Sequence, residues 1–213
     1  MRVSNILPAI FIYTLISSSS LIANQSYTPT NTTILDVEGQ ELQSTTRYYI
    51  FPFETPNRGG GLGLSSKDGT CPHNVMQETL ESSNGLPLRL LTIDNKSGSI
   101  NLSTDVNIAF MAATTCVQST VWRVGGISEV SERRYVTSGG VVGQPGVNTM
   151  RNWFKVEKNG NWNGNGYGYK IVYCPSFCSS CRVACGNVGV FVENGKRWLG
   201  LTADPLLVIF QKA

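Results

Sequence analysis

The sequence predicts an all-β fold, either a β-sandwich or a β-barrel, from three observations. Short runs of β-branched and aromatic residues follow one another along the chain, roughly every 8–20 residues. Clusters of Gly, Asn, Pro and Ser separate these runs, and such residues favour turns. No helical repeat of apolar residues competes with this pattern. A chain of many short strands joined by turns is typical of a sandwich or a barrel.

Ten runs are predicted to be strands because they are rich in β-branched and aromatic residues and are bounded by turn residues. They are residues 47–53, 88–93, 100–110, 119–124, 134–140, 153–157, 169–173, 188–193, 196–201 and 206–211. The stretch NGNWNGNGYGY, residues 159–169, is predicted to be a flexible hairpin turn. A solvated turn is favoured there over a binding role for Trp162. No internal repeat is legible as sequence identity.

Residues 1–23 are predicted to be a secretory signal peptide. A basic Arg2 precedes an apolar run over residues 6–16, and a serine run and Ala23 follow it. The apolar run is shorter than the roughly 20 residues that a membrane-spanning helix needs. Cleavage is predicted after Ala23, with residues 18–20 as the alternative. We therefore expect one mature domain over residues 24–213, secreted to the extracellular space (the apoplast) or delivered to the vacuole.

The net charge gives no reason to expect a nucleic acid or a membrane surface as the partner. Arg2 is lost with the signal peptide, so the mature chain carries +2, from sixteen basic minus fourteen acidic residues. The single histidine, His73, follows Cys71-Pro72 and is predicted to be an exposed loop residue. With no second histidine and no G-x-S-x-G motif, no catalytic residue is predicted, and the protein is not expected to be an enzyme.

Four cysteines lie close together in the stretch CPSFCSSCRVACG, which runs from Cys174 to Gly186. In a reducing compartment this spacing would favour zinc or thiol exchange, whereas the predicted secretion favours structural disulfides. The chain has six cysteines, an even number, so we expect all of them to pair. A zinc site of four thiolates is the remaining alternative. Spacing alone cannot choose among the fifteen pairings of six cysteines.

The stretch ILDVEGQELQSTTRYYI, residues 34–50, resembles the N-terminal motif of the plant Kunitz-type soybean trypsin inhibitor family. The matching positions are Ile34, Asp36, Gly39, Leu42, Tyr48 and Ile50. Five later stretches are similar to the miraculin-like branch of that family, in the same order and at matching distances. They are residues 103–110, 119–124, 136–157, 169–190 and 206–212. This resemblance covers essentially the whole mature chain and implies a β-trefoil, a six-stranded barrel capped by three hairpins.

The resemblance also implies a disulfide pairing. Cys71 is expected to pair with Cys116, Cys174 with Cys185, and Cys178 with Cys181, and the last two bonds are nested. No cysteine remains for an interchain bond, so we expect a monomer that is not covalently dimerised. No metal and no cofactor are expected.

Function in this family lies in an exposed loop between the fourth and fifth strands, which enters a protease cleft in a substrate-like shape. The loop implied here is TIDNKSGS, residues 92–99, and its contact residues are Ile93, Asp94, Asn95, Lys96 and Ser97. Either Asn95 or Lys96 is expected to enter the specificity pocket. Lys96 would suit a trypsin-like pocket with a buried carboxylate, because a buried cation requires an opposite charge.

Three features predict that inhibition is weak. The loop lacks the proline and arginine that are typical of the family. Ser44 stands where good trypsin inhibitors have an asparagine that braces the loop, and serine is shorter and donates fewer hydrogen bonds. Asn95-Lys96-Ser97 is also an N-glycosylation sequon, and a glycan on Asn95 would fill the space that a protease must enter.

Three further sequons begin at Asn24, Asn31 and Asn101, and Asn101 is predicted to lie in a strand. The function expected from all these features is that of a secreted inhibitor of endopeptidases, of the serine or the cysteine class, that acts by loop insertion. The alternative is a non-inhibitory β-trefoil of the same family, with a role in storage or stress or in binding a small ligand or pigment.

Overall fold

Twelve β-strands are formed within the part of the chain that the computed structural model describes. The described residues are 32–53, 58–93, 98–116, 119–159, 168–177, 181 and 183–213. The strands are β1 (Tyr48–Pro52), β2 (Leu62–Ser65), β3 (Asn74–Gln77), β4 (Leu88–Thr92), β5 (Val106–Phe110), β6 (Arg123–Ile127), β7 (Arg134–Thr137), β8 (Lys155–Lys158), β9 (Tyr169–Tyr173), β10 (Gly186–Glu193), β11 (Lys196–Thr202) and β12 (Leu207–Lys212). The predicted signal peptide, residues 1–23, lies outside the described residues.

Six of these strands close into an antiparallel barrel. Backbone pairing joins them in the order β1, β4, β5, β8, β9, β12 and back to β1. The link between β5 and β8 is a single bridge, in which Val106 and Phe154 exchange two backbone hydrogen bonds of 2.8 and 2.9 Å. Because the ring is closed, each barrel strand has a neighbour on both sides.

Alternate side chains of the barrel strands point inward and form the core, as the two-residue period of a strand requires. Leu88 and Leu90 of β4 are completely buried, and Arg89 between them is only half-buried. Aromatic rings complete the packing. The ring centroid of Trp122 lies 5.7 Å from that of Phe110 and 5.9 Å, edge to face, from that of Phe154. Such ring pairs each stabilise a core by about 0.5–1.5 kcal/mol beyond area burial.

The other six strands form three hairpins, β2–β3, β6–β7 and β10–β11, that cap the barrel. One strand of each hairpin pairs with its counterparts in the other two, and the pairs are Asn74 with Thr137, Tyr135 with Gly200, and Arg197 with Gln77. The chain therefore consists of three successive four-stranded units, β1–β4, β5–β8 and β9–β12. This arrangement is a β-trefoil, which confirms the predicted fold and decides for a barrel over a sandwich.

Most of the predicted strands are present with bounds that differ by a few residues. The predicted strand over 100–110 is wrong in its first half, since β5 begins only at Val106. The residues before β5 form a bridge and a turn, in which Ser103 has a φ angle of +57°. A 3₁₀ helix, Val147–Asn152, lies between β7 and β8 and is not predicted by the sequence. Within the described ranges, no helix is long and apolar enough to cross a membrane.

The sequence also misses β2 and β3, because residues 59–61 before β2 are all glycine and look like a turn. These glycines instead allow two backbones to approach closely. A Cβ atom on Gly61 would lie 2.0 Å from the carbonyl oxygen of Asn84. A Cβ atom on Gly85, which has a φ angle of +69°, would lie 2.1 Å from the carbonyl oxygen of Leu62. Close packing in the first hairpin therefore explains its glycines.

The glycine-rich stretch 159–169 connects β8 to β9, and these two strands pair with each other through Lys158 and Tyr169. The predicted hairpin is therefore present. Its central residues 160–167, including Trp162, lie outside the described residues.

Candidate functional site

The candidate loop leaves the barrel at the end of β4. Thr92, the last residue of β4, pairs with Val106, the first residue of β5, so the outgoing side of the loop is part of the barrel ladder. Ile93 follows and is 42% exposed. Asp94, Asn95, Lys96 and Ser97 lie outside the described residues, which resume at Gly98.

The returning side of the loop is held by the N-terminal segment, residues 33–44. The backbone N–H of Ile34 donates to the carbonyl of Ile100 (3.1 Å), and the N–H of Ile100 donates to the carbonyl of Leu42 (2.7 Å). All three side chains are completely buried in the core. The chain that follows the loop is therefore fixed at Ile100, two residues after Gly98.

Ser44, the predicted support of the loop, lies against Gly98. Its backbone N–H donates to the Gly98 carbonyl (3.0 Å), and its Oγ accepts from the Gly98 N–H at 3.3 Å. The second distance is at the long end for a hydrogen bond, so this contact with Gly98 is the weaker of the two. Ser44 is itself only 4% exposed.

Arg89 is a contact that sequence reasoning missed. Its Nε and Nη2 both donate to the carbonyl oxygen of Ser44, at 3.0 and 2.8 Å. The only signal in the sequence is the polar position between Leu88 and Leu90, which predicts that residue 89 points away from the core. That signal does not reveal which group the guanidinium meets, because Ser44 is 45 residues away.

A second polar contact lies just beyond Gly98. The Ser99 hydroxyl donates to Glu41 Oε2 (2.6 Å) and accepts from Gln43 Nε2 (3.0 Å). Gln43 and Ser99 also form a backbone bridge. These contacts attach the returning side of the loop to the N-terminal segment once more.

Two disulfide bonds are described completely, and neither includes a residue of this loop. Cys71 bonds to Cys116, with Cα atoms 5.7 Å apart, and Cys174 bonds to Cys185, with Cα atoms 4.6 Å apart. Cys181 is also disulfide-bonded, whereas its expected partner Cys178 lies outside the described residues. The alternative of a zinc site of four thiolates is therefore wrong, because sulfur atoms in disulfides are not thiolates.

Among the described residues, one group has the composition of a metal site: a ring nitrogen of His73 and the sulfur atoms of Cys71 and Cys116 lie within 4.8 Å of one another. Both cysteines are bonded to each other, so only the imidazole could act as a ligand. His73 is half-buried rather than exposed as predicted, and its carbonyl accepts from the N–H of Ser138 (2.8 Å). Its position next to the cap hairpins explains that burial.

A buried carboxylate anchors the Cys174–Cys185 segment to the barrel. Asp105 Oδ2 accepts from the backbone N–H of Ser176 (3.0 Å) and from its hydroxyl (2.6 Å), and Lys155 Nζ lies 4.0 Å from Oδ1. The disulfide is thus one of several attachments of this segment.

Charged groups meet where the three cap hairpins converge. Glu193 of β10 forms ion pairs with Lys67, whose Nζ lies 2.7 Å from Oε2, and with Arg133. It also accepts a hydrogen bond of 2.5 Å from the Tyr135 hydroxyl. Desolvation by itself would raise the pKa of Glu193, but the hydrogen bonds from Lys67, Tyr135 and Arg133 outweigh it and lower the pKa to about 2. The same carboxylate raises the pKa of Lys67 against the opposing effect of burial.

The candidate glycosylation sites differ in what the structure describes. Asn101 is exposed and lies in a bridge followed by a turn, not in the predicted strand, because Thr104 Oγ1 donates to its carbonyl (2.7 Å) and closes the turn. Asn24, Asn31 and Asn95 lie outside the described residues.

Comparison with known proteins identifies the family. The model of the Kunitz legume family, described as trypsin and protease inhibitor, matches residues 34–212. Kunitz trypsin inhibitor 5 of Arabidopsis thaliana is 40% identical over 181 residues, which cover 84% of this chain and 85% of the relative. Miraculin of Synsepalum dulcificum is 39% identical over 186 residues, which cover 84% of this chain and 82% of the relative.

Solved structures of Kunitz-type and related inhibitors have the same fold as this chain. The Kunitz-type cysteine protease inhibitor PCPI-3 from potato superposes with a TM-score of 0.72 and 32% identity, over 86% of this chain and 98% of that one. The bifunctional alpha-amylase/subtilisin inhibitor of rice, Oryza sativa, superposes with a TM-score of 0.66 and 36% identity, over 85% of this chain and 99% of that one. The chain therefore belongs to the plant Kunitz family of trypsin and protease inhibitors, in its miraculin-like branch.

Proposed function

We propose that this protein inhibits endopeptidases, of the serine or the cysteine class, by presenting the loop between β4 and β5 as a substrate-like segment. Ile93 to Ser97 are the contact residues in this proposal, and Ser44 supports them. Membership of a family of trypsin and protease inhibitors supports the proposal, and so does the similarity to a cysteine protease inhibitor from potato.

The observation that carries the proposal is that the chain is fixed on both sides of the loop. Thr92 is paired with Val106 before the loop, and Gly98 is bonded to Ser44 after it. A segment whose ends are ordered before binding loses less freedom in the complex, so more of the contact energy appears as affinity. Ile93 is exposed at the outgoing end, where a protease could reach it.

Specificity follows from the residue that fills the protease pocket. Lys96 is the candidate for a trypsin-like enzyme, because its ammonium group would pair with a pocket carboxylate. Asn95 is the candidate for another specificity, and a glycan on Asn95 would block the loop. We expect inhibition to be weak, because the loop lacks proline and arginine and because serine at position 44 is shorter than asparagine and donates fewer hydrogen bonds.

The proposal extends to the location and the oligomeric state of the protein. The protein is secreted to the extracellular space or the vacuole after removal of residues 1–23, and it acts as a monomer. The disulfide bonds, which persist in oxidising compartments, support this setting.

The test is a titration of serine and cysteine proteases with the purified protein, made with and without glycans. We expect at least one protease to be inhibited with a stoichiometry of one, and more strongly by the unglycosylated protein. If no protease in the panel is inhibited while the protein is folded, the proposal fails. A non-inhibitory trefoil then becomes the better description.

A further inference from the structure

We propose that Arg89 is a positioning residue for the loop between β4 and β5. Its guanidinium group holds the backbone of Ser44 in place and, through Ser44, fixes Gly98 at the point where the loop returns to the barrel. This inference rests on the proposed function, because it assigns a role within the inhibitory loop.

The guanidinium group is directed at one acceptor. Nε and Nη2 both bind the Ser44 carbonyl oxygen, at 3.0 and 2.8 Å. Hydrogen bonds from a charged donor are roughly twice as strong as neutral ones. Among the described residues, no carboxylate forms an ion pair with Arg89, so these two bonds are its main polar contacts there.

Arg89 can act as a brace because its own backbone is part of the barrel. It lies in the middle of β4, where it pairs with Ala109 of β5, and its neighbours Leu88 and Leu90 are completely buried. Ser44, in contrast, lies outside the strands, within a turn closed by a bond from the Thr46 N–H to the Gln43 carbonyl. The side chain of Arg89 therefore links the barrel to this turn.

The backbone of Ser44 matters because it makes the shorter of the two contacts with Gly98. The Oγ contact to the Gly98 N–H is long, at 3.3 Å, whereas the backbone bond from the Ser44 N–H to the Gly98 carbonyl is 3.0 Å. The better of the two bonds depends only on where the backbone of residue 44 lies. Arg89 binds the carbonyl of that backbone, so in this proposal it holds Gly98 indirectly, through Ser44.

The experiment compares four variants with the wild-type protein. They are Arg89→Ala, Arg89→Lys, Ser44→Asn, and the double variant Arg89→Ala with Ser44→Asn. The matched control is Arg123→Ala, which removes another half-buried strand arginine, in the cap hairpin β6–β7. Each variant is measured for its inhibition constant, for the rate at which a catalytic amount of protease cleaves the loop, and for its melting temperature.

We expect Arg89→Ala to weaken inhibition by about tenfold or more and to speed loop cleavage by a similar factor. The reason is that the free-energy cost of ordering the loop then falls on the binding step. Arg89→Lys should be intermediate, because an ammonium group cannot reproduce the two-pronged contact. Ser44→Asn should restore most of the loss in the double variant, because its longer amide side chain can hold the loop directly. Arg123→Ala should match the wild type in both loop measurements.

Two results would overturn the inference. One is Arg89→Ala with wild-type inhibition and wild-type loop cleavage. The other is a loss in Arg89→Ala that tracks the melting temperature and is not restored by Ser44→Asn, since that is the behaviour of a purely structural residue. If the wild-type protein inhibits no protease, the proposed function fails separately, and the rate of loop cleavage, read by mass spectrometry, still tests Arg89.

Discussion

Asn107 lies in β5 and is completely buried, yet its amide has partners on both sides. Its Nδ2 donates to the Asn152 carbonyl (2.8 Å), and its Oδ1 accepts from the Gly143 N–H (3.2 Å). Asn152 in turn donates to the Val141 carbonyl (3.2 Å). One buried residue thereby holds the long connection from β7 to β8 against the barrel, in the same way that Arg89 holds Ser44.

Replacing this amide should destabilise the protein. We expect Asn107→Ala to lower the free energy of unfolding by roughly 2–4 kcal/mol, because the buried carbonyl of Asn152 and the half-buried N–H of Gly143 lose their partner and a cavity is left. Urea unfolding provides the measurement. The control is Asn187→Ala, whose exposed Nδ2 donates to the Ala203 carbonyl (3.0 Å) and should contribute less than about 0.5 kcal/mol. Equal losses in the two variants would contradict the role of Asn107.

A second residue-scale prediction concerns Lys96. If the target is a trypsin-like enzyme, Lys96→Ala should weaken inhibition by about 2–4 kcal/mol, which is roughly 30- to 1000-fold, because one anchor fills the specificity pocket. The control is Lys212→Ala, an exposed lysine at the end of β12. The measurement is the inhibition constant of each variant, compared with that of the wild type. Unchanged inhibition by Lys96→Ala would mean that Asn95 or another surface makes the contact, and Asn95→Gln separates these cases while it removes the sequon.

At the scale of elements, the three cap hairpins are joined by one carboxylate. Lys67 follows β2, Tyr135 belongs to β7 and Glu193 to β10, so each hairpin contributes a group to the cluster. Lys67 Nζ also lies 3.7 Å from the ring centroid of Tyr135, which adds a cation–π contact. The cluster therefore stabilises the convergence of the hairpins, where backbone pairing is limited to a few residues.

The pKa of Glu193 makes this contribution dependent on pH. Its folded-state pKa of about 2 lies below the ordinary value of 4.5, so the unfolded chain binds the proton more tightly. The stabilisation is fully present above about pH 4.5 and is lost as the pH falls towards 2. Because Glu193 is 20% exposed, we expect a contribution of about 1–2 kcal/mol after solvent screening.

The measurement is the free energy of unfolding between pH 2 and pH 7 for the wild type, for Glu193→Gln and for a control. Glu193→Gln should be less stable than the wild type at pH 7, and the difference should disappear towards pH 2. Glu157→Gln is the control, because Glu157 pairs with Lys170 at 3.2 Å on the surface and should have a small effect. A constant difference between wild type and Glu193→Gln across this pH range would refute the assignment.

At the scale of the whole molecule, the Cys71–Cys116 bond joins two of the three trefoil units. Cys71 lies between β2 and β3 of the first unit, and Cys116 lies after β5 of the second unit. The bond closes a loop with a sequence separation of 45, whereas Cys174–Cys185 has a separation of 11 within the third unit. A longer closed loop restricts the unfolded chain more.

The two bonds should therefore stabilise the fold unequally. From chain entropy, replacing Cys71 and Cys116 by alanine should cost about 4 kcal/mol, and replacing Cys174 and Cys185 should cost about 3 kcal/mol or less. The Asp105 contacts to Ser176 should hold the second segment in part without its bond. Guanidinium unfolding of the two double variants compares them, and an equal or reversed order of the two losses would contradict the chain-entropy argument. Thiol titration of the denatured wild type should find no free cysteine.

The candidate site shows which parts of a fold can be predicted from a sequence and why. The position of the loop follows from the apolar runs on both sides of it, which become β4 and the core residue Ile100. The contact between Ser44 and Arg89 could not be predicted, because it joins residues 45 positions apart. The Glu193 cluster could not be predicted for the same reason, since its partners Lys67, Arg133 and Tyr135 come from the two other hairpins.

The sequence by itself determined the strands with strong β-propensity, because Val, Ile, Tyr and Phe prefer extended backbone wherever the strand is placed. It also determined the even number of cysteines and the family. Only the tertiary structure decided that β2 and β3 exist, because glycines 59–61 are explained by close approach to another backbone and not by a local preference. It also decided how the loop is held, since hydrogen bonds between distant segments depend on the closed barrel that brings those segments together.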